Sequence, residues 1–326
     1  MRLKISVQSK VLTKEDCRIL AEITKSMREG TPIEGKMTVE TLARNIEKIS
    51  ESNEFHILTA SDENGNLVGW TYYYIAFPLM AFINGYYPVV DDVNDSERIT
   101  LSLIEASKKD IVELGRHSRL EIEIIFYSEA HRAHYKRLVD SYQKCGFKFA
   151  AEEMHMKSDL RTIELPESEL PQGYLVKKLS EVSYDQLVNP AFQTLNNSKE
   201  GLFLSLSHAE QEITLQYWFD KSKPYVDDAS LILQKGRNVV GFVITRPTDD
   251  GPEIGPIGLV PDVRGKGLAS YLLSSVLENL KNSSAASANL DTTVINSPAQ
   301  KLYRKYGFED VYHKQFYFWS PIDASH

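Results

Sequence analysis

Residues 257–270 read Ile-Gly-Leu-Val-Pro-Asp-Val-Arg-Gly-Lys-Gly-Leu-Ala-Ser. Their apolar first half has the composition of a strand. Beyond the glycines, Leu272, Leu273, Val276, Leu277 and Leu280 recur at helical spacing. A glycine-bearing turn that opens a helix presents backbone N–H groups without intrahelical acceptors, and the helix dipole adds partial positive charge there. Arg264 and Lys266 add formal charge. The chemistry this predicts is binding of a pyrophosphate.

Three nucleotide-binding patterns compete for the segment. A Walker loop needs Gly-x-x-x-x-Gly-Lys-Ser/Thr, which is not met here. The dinucleotide fingerprint needs Gly-x-Gly-x-x-Gly, but Gly265-x-Gly267 is followed by Ser270 where the third glycine belongs. The third pattern, Arg/Gln-x-x-Gly-x-Gly/Ala, is met by Arg264-x-x-Gly267-x-Ala269. In this the segment resembles the acyl-coenzyme A pyrophosphate loop of the GNAT N-acetyltransferases. A second motif follows a β-branched stretch at 288–295. Asn296-x-x-Ala299-x-x-x-Tyr303-x-x-x-Gly307-Phe308 is similar at every specified position to the family's Asn-x-x-Ala-x-x-x-Tyr-x-x-x-Gly-Phe. Pro298 suits a helix's first turn and Gly307 its end.

Composition narrows the function classes. The chain has 326 residues, enough for two domains of ordinary size. No apolar run approaches the roughly 20 residues that span a bilayer, and the first ten residues lack the apolar core of a signal peptide. The net charge of −8 argues against a nucleic-acid partner. The two cysteines, Cys17 and Cys145, lie in different predicted elements without CxxC spacing or clustered histidines. A disulfide framework and a structural metal are therefore not expected, and a cytoplasmic protein without a metal is.

Self-comparison reveals a long-period repeat. Tyr142-Gln-Lys-Cys-Gly146-Phe147 aligns with Tyr303-Arg-Lys-Tyr-Gly307-Phe308, and Asn66-Leu-Val-Gly69 with Asn238-Val-Val-Gly241. Between the copies, residues 165–173 carry two prolines, charges and a glycine, a linker composition. This gives two domains, 1–164 and 172–326. In the first, strands are predicted at 2–7, 55–61, 67–76, 81–90 and 119–126, with helices near 13–27, 37–50, 96–115 and 129–144. In the second, strands are predicted at 174–179, 229–235, 239–246, 253–260 and 288–295, with a final strand pair near 308–320. Its helices are predicted near 183–196, 208–220, 264–281 and 297–306. The family resemblance implies a mixed α/β fold in tandem GNAT copies. The first copy is degenerate. Val90-Asp-Asp-Val-Asn-Asp-Ser-Glu-Arg98 stands where the phosphate loop belongs, without a glycine and with four carboxylates that repel a pyrophosphate. Tyr135 and Leu138 replace Asn296 and Ala299. Tyr142 survives by position and reads as a packed helix-face tyrosine. The organisation resembles that of mycothiol synthase, with catalysis in one copy.

The resemblance also implies site residues. Amine acetylation needs a bound thioester, a neutral amine and a proton for the departing thiolate. Glu253, eleven residues before Arg264 on the predicted fourth strand, falls at the spacing of the family's catalytic base. Tyr303 falls at the position of its general acid. Cofactor binding is implied for the backbone of Ile257 and Leu259, for Arg264, Gly265, Lys266, Gly267, Leu268, Ala269 and Ser270 around the pyrophosphate, and for Asn296 beside the pantetheine arm. Gly255 and Gly258 mark a bulge or a close approach. Tyr217, Trp218 and Phe219 are candidates for an apolar acceptor wall. His131 and His134 read as a solvated helix face, and the run Trp70 to Phe77 as packing. The expected activity is transfer of acetyl from acetyl-coenzyme A to a primary amine of a small molecule or peptide, with neither nucleic acid nor membrane involved and a homodimer allowed. The competing reading is a non-catalytic acyl-coenzyme A-binding or interaction protein.

Overall fold

The computed structural model describes residues 6–9, 11–29, 31, 36–77, 79–91, 95–115 and 119–321. The strand expected at 2–7 lies mostly outside them. The chain divides into two compact units, Met1–Ala150 with Gln315–His326, and Ala151–Lys314.

In the first unit the order is β1 (Ser6–Ser9), α1 (Lys14–Met27), α2 (Val39–Glu51), β2 (Phe55–Ser61), β3 (Leu67–Phe77), β4 (Met80–Asn84), β5 (Val89–Val90), α3 (Ser96–Leu114), β6 (Arg119–Phe126) and α4 (Glu129–Lys144). Strands β1 to β4 pair antiparallel in chain order, and β4 pairs parallel with β6. The expected strand at 81–90 is broken into β4 and β5 by the turn at Gly85–Pro88. Gly85 is needed in that turn, because a Cβ there would meet the Glu123 carbonyl oxygen at 2.0 Å. Trp70 and Tyr73 are fully buried in the core, with hydroxyl and indole donors satisfied by Asp110 and Thr24.

The second unit contains β7 (Lys148–Asp159, all but its first three residues), β8 (Tyr174–Lys178), α5 (Tyr184–Asn196), α6 (Gly201–Leu204), α7 (His208–Trp218), β9 (Leu231–Lys235), β10 (Asn238–Arg246), β11 (Glu253–Leu259), α8 (Leu268–Asn282), β12 (Ser287–Thr293), α9 (Ser297–Lys305) and the first part of β13 (Glu309–Trp319). The strand order is β8-β9-β10-β11-β12-β7-β13. Alternation along the strands sends side chains to two helical layers. Leu231, Leu233 and Val243 face the core of α8, with Leu272, Leu273, Val276 and Leu277. Ile232, Phe242 and Ile244 face α5 and α7, with Leu187, Ala191 and Leu215. The fold is therefore a mixed α/β open sheet covered on both faces.

The strands at the far edge of this unit also differ from expectation. The final strand pair is one unbroken strand, β13, because residues 309–319 contain no turn-forming glycine or proline. Its neighbour is β7, a strand missed in the sequence because Glu152, Glu153 and Lys157 dilute its apolar alternation. β7 runs antiparallel to β12 over seven registered pairs, from Ser287 opposite Asp159 to Thr293 opposite Glu153.

Candidate active site

The helix predicted from residue 264 begins at Leu268, because Gly265 and Gly267 take φ of 76° and 78° and so break the right-handed turn. A Cβ at either glycine would meet nothing within 4 Å, so both face open space. The N–H of Arg264 goes to the Pro261 carbonyl at 3.1 Å, and that of Tyr271 to Gly267 at 3.0 Å. Between them, the N–H groups of Gly265, Lys266, Gly267, Leu268, Ala269 and Ser270 meet no backbone acceptor among the described residues. Six donors at the positive end of a 15-residue helix form an anion cradle. The side chains of the loop bond within the protein. The Arg264 guanidinium is spent on the carbonyls of Leu259 (3.0 Å), Thr194 (3.0 Å) and Asn197 (2.6 Å), pinning the C-terminal turn of α5 to the loop. Lys266 Nζ folds back to the Asp262 carbonyl at 2.9 Å. Ser270 Oγ lies 2.9 Å from the Tyr306 hydroxyl.

β11 reaches this cradle from a slot. Its register against β10 slips between Val243–Ile257 and Thr245–Ile254, which puts one extra residue at Gly255-Pro256. β11 and β12 are parallel but register at one pair alone among the described residues, Glu253 with Asn289. Beyond it Ile257 and Leu259 pair with β10 on one side only. Gly258 serves packing, since a Cβ there would lie 2.4 Å from Thr194 Cγ2 on α5.

Charged side chains gather on the α5 face of the slot. Glu253, half-buried, accepts no hydrogen bond among the described residues. Burial raises its carboxyl above the usual range, the Asp291 charge raises it further, and Lys314 and His155 pull it back. Asp291 is itself pushed up by burial, but hydrogen bonds from His155 and Lys314, with their charges, outweigh this and hold it below the usual range. Glu200, just before α6, is raised by burial against a 3.4 Å contact from Asn296 Nδ2, with Asp291 adding to the rise. Tyr303 is 5% exposed, packs edge-on against Phe308, and its hydroxyl has no hydrogen-bond partner among the described residues. Burial and then the Glu200 charge raise its phenol. One field thus links Glu253, Asp291, Glu200 and Tyr303, with Asn296 touching Glu200.

Sequence reading overlooked Glu200, Asp291, His155 and Lys314. A signal for one was present. Asn289 and Asp291 alternate along a strand whose other face is Ala288, Leu290 and Thr292, and polar residues on one face of a central strand line something other than core. The aromatic wall is not formed as expected. Phe219 and Trp218 join the α5–α7 core, and Tyr217 lies under Lys223 and Arg246. His131 is buried rather than solvated, and the described residues hold no cluster of metal-ligating side chains.

Residues 192–308 match the acetyltransferase (GNAT) family. The chain is 32% identical over 111 residues to a mycothiol acetyltransferase of Brachybacterium faecium, a match covering 32% of each protein, so it spans about a third of that relative's length. Its fold resembles a GCN5-related N-acetyltransferase from Sphaerobacter thermophilus, with a TM-score of 0.61, 13% identity, and 97% and 95% of the two chains covered. It also resembles a tandem GNAT protein from the clavulanic acid biosynthesis pathway, with a TM-score of 0.50, 12% identity and 98% of both chains covered. No helix among the described residues is long and apolar enough to cross a membrane. The likeness to the acetyltransferase (GNAT) family is thus carried by residues 192–308, and the fold of the whole chain resembles that of a tandem GNAT protein.

Proposed function

We propose that the second copy transfers acetyl from acetyl-coenzyme A directly to a primary amine of a small molecule or peptide. The observation that carries this is the slot of β11 and β12 ending at six N–H donors, with Glu253 at the point where the strands part. The open space at Gly265 and Gly267 fits a pyrophosphate there. The thioester supplies the activated acyl group when bound. Glu253, whose carboxyl burial makes more basic, takes the proton of the amine. Tyr303, protonated across the physiological range, gives its proton to the departing sulfur. The backbone of Ile257 and Leu259 holds the pantetheine arm, and a strand N–H near the carbonyl stabilises developing negative charge. The copies as duplicated units, 1–164 and 172–326, are part of the same proposal, as are a single active copy and a cytoplasmic setting.

The test is release of free thiol from acetyl-coenzyme A across a panel of aminoglycosides, polyamines, amino acids and short peptides. Amine-dependent release is expected. Tight acetyl-coenzyme A binding with no release on any amine would leave the binding-protein reading in its place.

A further inference from the structure

Helix α5 ends beside the slot. The last carbonyls of a helix have no intrahelical donors, and here Arg264 serves two of them. Its Nη2 donates to the Thr194 carbonyl at 3.0 Å and its Nη1 to that of Asn197 at 2.6 Å, while Nε donates to Leu259 at the end of β11 at 3.0 Å. Each guanidinium nitrogen thus holds one carbonyl. Thr194 also sits directly on β11, since a Cβ at Gly258 would lie 2.4 Å from its Cγ2. Beyond Asn197 the chain braces itself. Ser198 Oγ donates to the Leu195 carbonyl at 2.6 Å and accepts from the Glu200 N–H at 3.0 Å. It then meets the end of β12. Lys199 Nζ donates to the Ile295 carbonyl at 3.4 Å, and Asn296 Nδ2 to Glu200 Oε1 at 3.4 Å. Residues 194–200 therefore run from the end of β11 to the end of β12. Those two strands register at one pair alone among the described residues, Glu253 with Asn289.

We propose that residues 194–200 form a strap that roofs the pantetheine arm of the cofactor, and that the Arg264 side chain is the positioning residue that holds it. The inference rests on the slot and cradle being a coenzyme A site. The six free N–H groups lie just past the end of β11, and Glu253 stands at its start. An arm that joins a pyrophosphate at the first to a thioester at the second runs along β11 past Leu259 and Gly258. That is the stretch on which Thr194 rests and to which Arg264 ties α5. The side chain therefore serves the cofactor through the strap, while the backbone after it meets the phosphates. The residue type follows from the task. A planar fork can hold three carbonyls at once, and a single ammonium on a flexible stem cannot.

The experiment uses the full chain and two probes, coenzyme A and adenosine diphosphate, which carries the pyrophosphate without the arm. Backbone hydrogen exchange at 197–200 is followed with each probe at saturation. Coenzyme A should slow exchange there, and adenosine diphosphate should not. Slowing by both, or by neither, overturns the proposal. Affinities are then compared for Arg264→Lys, which keeps the charge and loses the fork. Its affinity for coenzyme A should fall about tenfold or more, the worth of a charged hydrogen bond. Its affinity for adenosine diphosphate should be unchanged, and coenzyme A should no longer slow exchange at the strap. Unchanged affinity for coenzyme A, or an equal loss for both probes, overturns the assignment of Arg264. If the variant folds poorly, the exchange comparison on the unaltered protein decides. Adenosine diphosphate that fails to bind a protein that does bind coenzyme A removes the cradle, and the proposal with it. Failure of the unaltered protein to bind coenzyme A removes the functional reading itself, a result distinct from a strap that both probes protect.

Discussion

Helices α3 and α8 open on the same backbone move and carry opposite chemistry. Asp95 before α3 has φ of 87°, and Gly267 before α8 has φ of 78°. The left-handed entry persists in the first unit although an aspartate must adopt it, stabilised by an ion pair with Arg98 at 3.3 Å. Of the acidic segment, residues 92–94 lie outside the described residues. The helix ends match as well. Gly146 and Gly307 both take positive φ, and Phe147 and Phe308 donate back to Tyr142 and Tyr303 across equivalent turns. The two tyrosines part company at their hydroxyls. Tyr142 is fully buried and donates to the Tyr87 carbonyl, while Tyr303 has no partner among the described residues. Matching backbone geometry thus accompanies different side-chain chemistry in the two units, so fold alone says little about function.

The sharpest way to break this contrast is at the cradle. Gly267→Val should abolish acetyl-coenzyme A binding, because the new side chain enters the open space at the helix start and must adopt positive φ. Calorimetry on the unaltered chain should give one site, and two equivalent sites would end the claim that the first copy is degenerate. Next in size, Tyr303→Phe should bind almost normally and turn over about 10²–10⁴-fold more slowly. Tyr142→Phe should leave turnover unchanged and cost about 1 kcal/mol of stability, the worth of one buried hydrogen bond. Equal kinetics for the two variants, measured where chemistry limits turnover, would erase the distinction drawn from their hydroxyls. Glu253→Gln should lower kcat/KM by about 10²-fold near neutrality. The deficit should shrink as pH rises, since more amine is already neutral; a deficit that grows with pH would remove the base assignment.

A separate effect is on stability as a function of pH. Asp291 is ionised more readily in the folded chain than at its ordinary value of 3.8. Its contribution is therefore present above that pH and is lost as pH falls below it through the folded value. Asp291→Asn should destabilise the protein by about 3 kcal/mol at pH 7, since His155 and Lys314 lose their shared partner. The difference from the unaltered chain should fade in acid; denaturant melts at pH 7 and pH 3 would show it.

Much of this was legible in sequence because the decisive features are local. A glycine pair before a helix, and a proline and glycine bracketing another, act through neighbouring backbone, and α8 and α9 appear where those signals put them, displaced only by the span the two glycines hold out of the helix. The repeat was legible for the same reason. What was not legible depends on partners far apart in sequence. His155 and Asp291 are separated by 136 positions and meet through strand register. The charge of Arg264 is visible in sequence, and its carbonyl partners on α5 are not. Trp218 and Phe219 looked like a binding wall because aromatic content does not say which face of a helix is turned inward.

β7 makes the motif-bearing half depend on residues that precede the linker. A gene trimmed to the half that bears the motifs, beginning at the linker, would encode β12 without the strand that covers its edge along seven residue pairs. The exposed edge of a central strand is a template for aggregation, and the trimmed product would lose Met154 and Met156 from its core. A fragment meant to fold on its own must therefore keep Ala151–Asp159.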